Sequence, residues 1–315
     1  MGHQELIRGL MAAMIAVLFF NCQNNKRASN SESVKIIAKE KLQYALRNST
    51  GWEKVHAAEY ILNLDHSNNV YDTFLKEEEQ NRNKPYYRIG IWRVLNQAAV
   101  TTTEKNKWLD SISKVYVENT SLDRIHAAES LAKLKVSPST ISIGITDSIL
   151  KASHDPLWAY TYWGTAYDSE KDMREVKNKF VDIIIDSNEQ TQIKRIALYA
   201  LYKMRNIDVH NWDLLISRAL DETRNSPLNT NLLLCTLANI PRDSLGSSRV
   251  RECREKLESK INSLNSDELP PTLAVYEYIA TEEDLPFLRF YMDKGDDLNN
   301  REIIMAAANA ILSID

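Results

Sequence analysis

Two copies of a histidine–glutamate pair have the spacing of a chemical site. His56 and Glu59 lie three residues apart in the segment His-Ala-Ala-Glu, and His126 and Glu129 repeat the same four residues. On a helix this spacing places both side chains on one face, where they could hold a metal ion or exchange a proton. Di-iron bundles use the reverse order, Glu-x-x-His, with further glutamates from partner helices. The recurrence favours repeat packing over chemistry, so we predict neither a metal site nor a cofactor and assign no catalytic residue.

The densest cluster of aromatic residues is a second candidate site. It consists of Trp158, Tyr160, Tyr162, Trp163 and Tyr167. At helical spacing these rings divide between two faces, of which one must pack into the protein. Rings on the other face would stack on sugars or anchor a protein partner, and two earlier tyrosines would extend that surface. The alternative is that all these rings fill a core between helices. The candidate partner-binding residues are Tyr86, Tyr87, Tyr160, Trp163 and Tyr167.

The amino-acid composition indicates which class of fold carries these residues. Hydrophobic residues make up 43% of the 315, and there are only 8 glycines and 8 prolines, which favours helices over a sheet fold. The net charge of -4 and the absence of a basic stripe argue against a nucleic-acid partner. The sequence also lacks a Gly-x-Ser-x-Gly elbow, a phosphate-binding glycine loop and a His-Glu-x-x-His motif.

Apolar residues at helical spacing, separated by turn residues, predict a series of amphipathic helices. Thr50 is placed to cap the second of them. The clearest predicted helices cover residues 34–47, 52–64, 70–80, 105–118, 122–134, 140–152, 170–186 and 209–220.

One of these segments is echoed along the chain. The sequence LDRIHAAESLAKL at 122–134 has a close copy at 55–59 and a looser one at 195–201. An apolar anchor recurs at intervals of 31 to 41 residues in Val55, Ile89, Ile125, Trp158, Ile196, Leu232, Leu273 and Ile304. The segment 122–134 resembles the second helix of a HEAT-like, armadillo-type repeat. The resemblance implies an all-α fold over residues 34–315, an α-α superhelix (HEAT-like solenoid) of roughly eight helical pairs.

The N-terminus is expected to direct export. An apolar run of 11 residues, 10–20, is too short to span a membrane and is followed by Asn21-Cys22. Residues 1–22 resemble a bacterial lipoprotein signal, in which Cys22 becomes acylated. Residues 23–33 would then form a polar tether to a membrane of the bacterial cell envelope. A plain signal peptide and a cytosolic protein are the alternatives.

Two further cysteines stand in different surroundings. Cys235 lies in an apolar run and is predicted to be a buried small hydrophobe, whereas Cys253 stands among charged residues. An oxidising compartment would permit them to pair, but their spacing does not require a disulfide.

The expected function is that of a non-catalytic, envelope-anchored scaffold whose concave face binds a protein or a glycan. The alternative is an all-helical carbohydrate-active enzyme, or an accessory subunit of a glycan-processing system. A closed ring of helices with two facing carboxylates would favour the enzyme, and an open superhelix would favour the scaffold. The last unit, from residue 299 onward, is expected either to pack on the unit before it or to leave an open end for a partner.

Overall fold

A computed structural model describes residues 31–64, 69–152, 154–221 and 228–314. Every regular element in these ranges is a helix, so the predicted all-α class is confirmed. No helix within them is long and apolar enough to cross a membrane. The predicted signal, Cys22 and the first part of the predicted tether lie outside these ranges.

Short turns separate the helices of the described chain. In order they are α1 (31–48), α2 (Gly51–Asn63), α3 (Val70–Asn81), α4 (Tyr87–Ala98), α5 (Thr102–Val117), α6 (Arg124–Lys133), α7 (Pro138–Leu150), α8 (Pro156–Thr165), α9 (Glu170–Ile185), α10 (Thr191–Met204), α11 (Val209–Leu220), α12 (Asn229–Ala238), α13 (Ser248–Ile261), α14 (Leu269–Ala274), α15 (Tyr276–Ile279), α16 (Leu285–Asp297) and α17 (Arg301–Leu312).

The predicted helices agree closely with these bounds. Helix α11 spans the predicted range, and the other predicted ends fall within three residues of the observed ones. Helix α1 begins by residue 31 and so includes the last three residues of the predicted tether. Thr50 occupies the N-cap of α2, but its side chain makes no capping hydrogen bond. Helix α5 does have a full capping box, in which Thr101 and Glu104 exchange hydrogen bonds.

The helices form two layers. Helices α2, α4, α6, α8, α10, α12, α14 and α17 each pack on the next in this series, and we call them the inner layer, together with α15. Helices α3, α5, α7, α9, α11, α13 and α16 pack outside them, each against a helix that is adjacent in sequence. The number of repeats stays a prediction, because one inner position is built from two short helices, α14 and α15.

The inner layer closes into a ring. Helix α17 packs against α14 and α15 on one side and against α2 on the other. Across this seam the Arg301 guanidinium donates a hydrogen bond to the carbonyl of Asn48 at 3.1 Å. The Lys35 ammonium likewise donates to the carbonyl of Ile314. The last unit packs on the unit before it, as one of the two expectations had it, and it also joins the two ends of the array instead of leaving an open end.

Small residues allow the inner helices to approach closely. Ala57 and Ala127 are fully buried in the two His-Ala-Ala-Glu segments, as predicted for repeat packing. At Gly90 a Cβ atom would lie 2.8 Å from the Trp52 ring, so only glycine fits between α2 and α4 without rearrangement. The close approach gives the ring a continuous apolar core.

The sequence anchors map onto the inner layer. All eight lie on its helices, and seven of them are buried. Ile125 is the exception, since its side chain is 39% exposed. It occupies the second position of α6, in the first turn, where the helix has not yet entered the core. The periodicity of the anchors therefore identified the inner helices correctly. Ile125, however, is not the core residue that its anchor position predicts.

The two described cysteines are both free and buried. Cys235 was predicted to be buried, and it is. Cys253 is completely buried on α13 despite its charged neighbours in sequence, because those neighbours occupy other faces of the helix. The pair allowed from the sequence does not form, and burial raises the pKa of each thiol to about 12.

Candidate functional site

The ring encloses a central cavity of about 790 Å³. Every helix of the inner layer contributes at least one side chain to its wall, whereas the outer helices contribute none. A volume of this size lies within the range of small-molecule binding pockets in proteins. The cavity is therefore the strongest candidate for a functional site in the described part of the chain.

Aromatic side chains form much of one wall. Trp163 on α8 and Tyr199 on α10 meet edge to face with ring centroids 5.9 Å apart. Tyr202, one turn further along α10, meets Tyr278 of α15 edge to face at 5.6 Å. Both geometries are favourable for aromatic pairs. The wall therefore offers several aromatic rings, each held by a neighbour from another inner helix.

The hydroxyl groups of Tyr202 and Tyr60, which line the cavity, stay protonated over the physiological range. Burial raises the pKa of Tyr202 well above its usual value, and the neighbouring Tyr278 raises it further. Burial also raises the pKa of Tyr60 on α2, with a smaller contribution from the carboxylates of Glu302 and Glu277. These groups can therefore donate hydrogen bonds to a ligand without carrying charge.

A group of charges around the fully buried Arg93, which we call the acid–base cluster, consists of Glu59, Arg93, Glu129 and Lys133. The side chains of Glu59, Glu129 and Lys133 are partly exposed. Arg93 is 1% exposed and joins three inner helices, because it donates to Glu59 of α2 at 2.6 Å and to Ser130 of α6 at 2.9 Å. Lys133 forms an ion pair with Glu129 at 2.8 Å one turn away. Each charge in the cluster thus has an opposite charge beside it, as buried ions require.

The acid–base cluster keeps its carboxylates ionised. Burial raises the pKa of Glu59, but Arg93, Lys133 and His56 outweigh it and lower the value to about 2. The pKa of Glu129 is also lowered, because Lys133, His126 and Arg93 together outweigh the effect of burial. Neither carboxyl group can therefore act as a proton donor near neutral pH.

The two histidine–glutamate pairs have different partners in the fold. His56 Nδ1 lies 2.8 Å from Glu302 Oε1 on α17, across the seam of the ring. His126 Nδ1 lies 3.7 Å from its own Glu129. Both histidines are partly exposed. The described ranges contain no group of three or more potential metal-ligating side chains.

The five aromatic residues predicted to bind a partner lie in different surroundings. Trp163 and Tyr167 line the central cavity, while Tyr160 is half-buried against the core. Tyr86 is 44% exposed and lies edge to face with His126, at 5.2 Å between ring centroids. The Tyr87 hydroxyl donates to Glu77 at 2.9 Å on the outer helix α3.

Several residues of the cavity escaped the sequence analysis. Tyr199 and Tyr202 are three apart and share a helical face, which was the available signal. Tyr278 and Arg205 had no such signal, because the fold brings together helices α10 and α15, which are distant in the sequence.

Comparisons with protein-family models, curated proteins and solved structures found no match. The site is therefore interpreted from its own geometry.

Proposed function

We propose that this protein binds a small glycan, without catalysis, in the cavity at the centre of its helical ring. The observation that carries the proposal is the closure of the ring, which turns a concave face into a cavity of about 790 Å³. A cavity of that size suits a small ligand rather than a folded protein. Of the two partners expected from the sequence, a protein and a glycan, the glycan fits the closed form better.

The wall of the cavity has the chemistry that sugars require. Tyrosine and tryptophan faces stack against the apolar C–H faces of a sugar ring, and protonated tyrosine hydroxyls bind its hydroxyl groups. Trp163, Tyr199, Tyr202 and Tyr278 provide these groups from three inner helices. Their packing against one another would orient the rings before a ligand binds.

Binding fits the described carboxylates better than hydrolysis does. A glycosidase needs one carboxyl group with a raised pKa to protonate the leaving group. Glu59, which lines the cavity, has its pKa lowered to about 2 by Arg93 and its neighbours. It therefore serves as the partner of a buried cation rather than as a general acid.

A carbohydrate-active enzyme is the second candidate, because ring closure was the feature expected to favour it. Its catalytic pair would come from Glu277 and Glu302, which line the same cavity. The test is to incubate the protein with oligosaccharides and measure new reducing ends. Cleavage that disappears in Glu277→Gln or Glu302→Gln would replace the binding proposal with the enzymatic one.

The proposed binding can be measured by calorimetry with a panel of mono- and oligosaccharides. In the double variant Tyr199→Phe/Tyr202→Phe the rings remain but two hydroxyl groups are lost. Each net hydrogen bond contributes about 1 kcal/mol, so affinity should fall by about tenfold or more. The matched control is Tyr44→Phe, at an exposed tyrosine on α1 outside the cavity, which should bind unchanged. Failure of every sugar to bind the folded protein would remove the glycan proposal.

We propose further that acylation of Cys22 tethers the ring to a membrane of the bacterial envelope. The support is the resemblance of residues 1–22 to a lipoprotein signal. Metabolic labelling with a radioactive fatty acid tests it, and Cys22→Ser should lose the label and move to the soluble fraction. An unlabelled protein would contradict the anchor but leave the cavity proposal intact.

A further inference from the structure

Three cations of the central cavity, Lys135, Lys203 and Arg205, have no carboxylate partner within the described residues. Lys203 and Arg205 both line the cavity near the C-terminal end of α10. Lys203 makes no ion pair there, and the only described hydrogen bond of the Arg205 side chain is a long one to the carbonyl of Ala238, at 3.4 Å. We call these two residues the α10 cations.

Most carboxylates of the same cavity have hydrogen-bond or ion-pair partners other than the α10 cations. Glu59 is paired with Arg93, and Glu302 with His56. Glu277 accepts a hydrogen bond from the buried Asn309 amide at 3.0 Å. Asp267 also lines the cavity but lies on an exposed turn before α14. The α10 cations therefore remain available to a negatively charged group.

The backbone at Arg205 is held in a conformation that suits glycine. Its φ of 56° and ψ of 179° place it in a region that residues with a Cβ atom rarely occupy, and Asn206 also has a positive φ, of 53°. Such strain persists where the surrounding structure imposes it, and it is concentrated at ligand-binding sites. The backbone strain therefore occurs at a residue, Arg205, whose side chain lines the cavity.

Tyrosine rings hold both α10 cations in place. The Arg205 guanidinium carbon lies 4.0 Å from the centre of the Tyr278 ring. Lys203 Nζ lies 5.3 Å from the centre of the Tyr202 ring, which itself packs on Tyr278. Both are cation–π contacts, which position a cation without neutralising its charge. The result is a pair of cations beside two aromatic faces.

We propose that the α10 cations bind a carboxylate on the ligand, so that the cavity is selective for an acidic sugar such as a uronic acid. Arginine presents a planar fork of donors that matches a carboxylate, and lysine adds a second positive charge. The sugar ring would then stack on the tyrosine faces beside these cations. This inference rests on the proposed glycan-binding function and specifies the class of glycan.

The test is calorimetry on the 315-residue chain with probes that differ at one position of the sugar. D-glucuronate should bind at least about tenfold more tightly than D-glucose, the gain expected of a charge-assisted hydrogen bond. The methyl ester of glucuronate should bind like glucose. Equal affinity for glucuronate and glucose would overturn the inference while leaving the glycan proposal standing.

Substitution of the cations identifies the residues responsible. Arg205→Gln and Lys203→Gln should each reduce the preference for glucuronate over glucose by about fivefold to tenfold, with little change for glucose. The matched control is Lys135→Gln, an exposed lysine on another part of the cavity wall, which should keep most of the preference. An unchanged preference in both α10 variants would overturn the assignment.

Glucose 6-phosphate tests whether the α10 cations prefer a phosphate to a carboxylate. Tighter binding of the phosphate than of glucuronate would overturn the choice of a carboxylate. If no sugar binds, with or without charge, the proposed function itself fails. The failure of the inference and the failure of the function therefore give different results.

Discussion

The α10 cations line the central cavity, as do Glu59 and Lys133 of the acid–base cluster, but the charges of the two groups have different partners. In the cluster, Arg93 is fully buried and neutralised by Glu59, and Lys133 is neutralised by Glu129. Lys203 and Arg205 instead rest on tyrosine rings and keep their charge. The comparison suggests that the paired charges join helices α2, α4 and α6, whereas the unpaired charges are free to bind.

The largest expected effect comes from breaking the buried pair. Arg93→Ala should lower the free energy of unfolding by about 2–3 kcal/mol, because it removes a fully buried side chain and leaves the partly exposed carboxylate of Glu59 without its nearest cation. Urea denaturation measures this change. The double variant Arg93→Met/Glu59→Gln should recover much of the loss, since neither partner is then left charged. A single variant as stable as the parent would mean that the cluster does not hold the helices together.

Acidification should weaken the same cluster. The pKa of Glu59 is about 2 in the folded protein and near 4.5 when unfolded, so its contribution is complete above pH 4.5. The full contribution is about 3 kcal/mol, and about 2 kcal/mol of it is lost as the pH falls from 4.5 to 3. Urea denaturation at pH 6 and pH 3 should therefore show a smaller loss of stability in Glu59→Gln than in the parent. Equal losses would contradict the lowered pKa.

A smaller change in stability should reveal the backbone strain at Arg205. Arg205→Gly should be more stable than Arg205→Ala by about 1–2 kcal/mol, because glycine adopts the observed φ and ψ without strain and alanine does not. Both variants lose the guanidinium and should lose the preference for glucuronate. Thermal unfolding of the two variants side by side measures the difference, and an Ala variant as stable as the Gly variant would argue against a strained Arg205.

The smallest effect is expected at Lys203. Lys203→Gln should change the free energy of unfolding by less than about 0.5 kcal/mol, since an exposed lysine without an ion pair contributes little to stability. The same substitution should reduce binding of an acidic sugar. A large loss of stability would show that Lys203 belongs with the paired charges after all.

The helices of the fold were predictable because their signals are local. Apolar spacing and turn residues predicted the exact bounds of α11, and the recurring anchors identified every helix of the inner layer except α15. Trp163 and Tyr167, which line the cavity, were also predicted from the sequence to be binding residues. Such features depend only on neighbouring residues, so one sequence is enough to find them.

The cavity itself could not be predicted, because it depends on closure between the two ends of the array. Contacts such as His56 with Glu302 join residues separated by 246 positions. Arg93 and Arg205 are unremarkable in the sequence, and their roles depend on helices that the fold brings beside them. A repeat pattern fixes how neighbouring units stack, but small rotations per unit decide whether the array closes.

The seam between α17 and α2 also changes how the protein is expected to unfold. An open array of repeats can lose its outermost unit first, because that unit has only one neighbour. In the ring each inner helix has a neighbour on both sides, so there is no outermost unit from which fraying can begin. We therefore expect amide hydrogens of α2 and α17 to exchange as slowly as those of α8, in one cooperative event rather than a gradient along the chain.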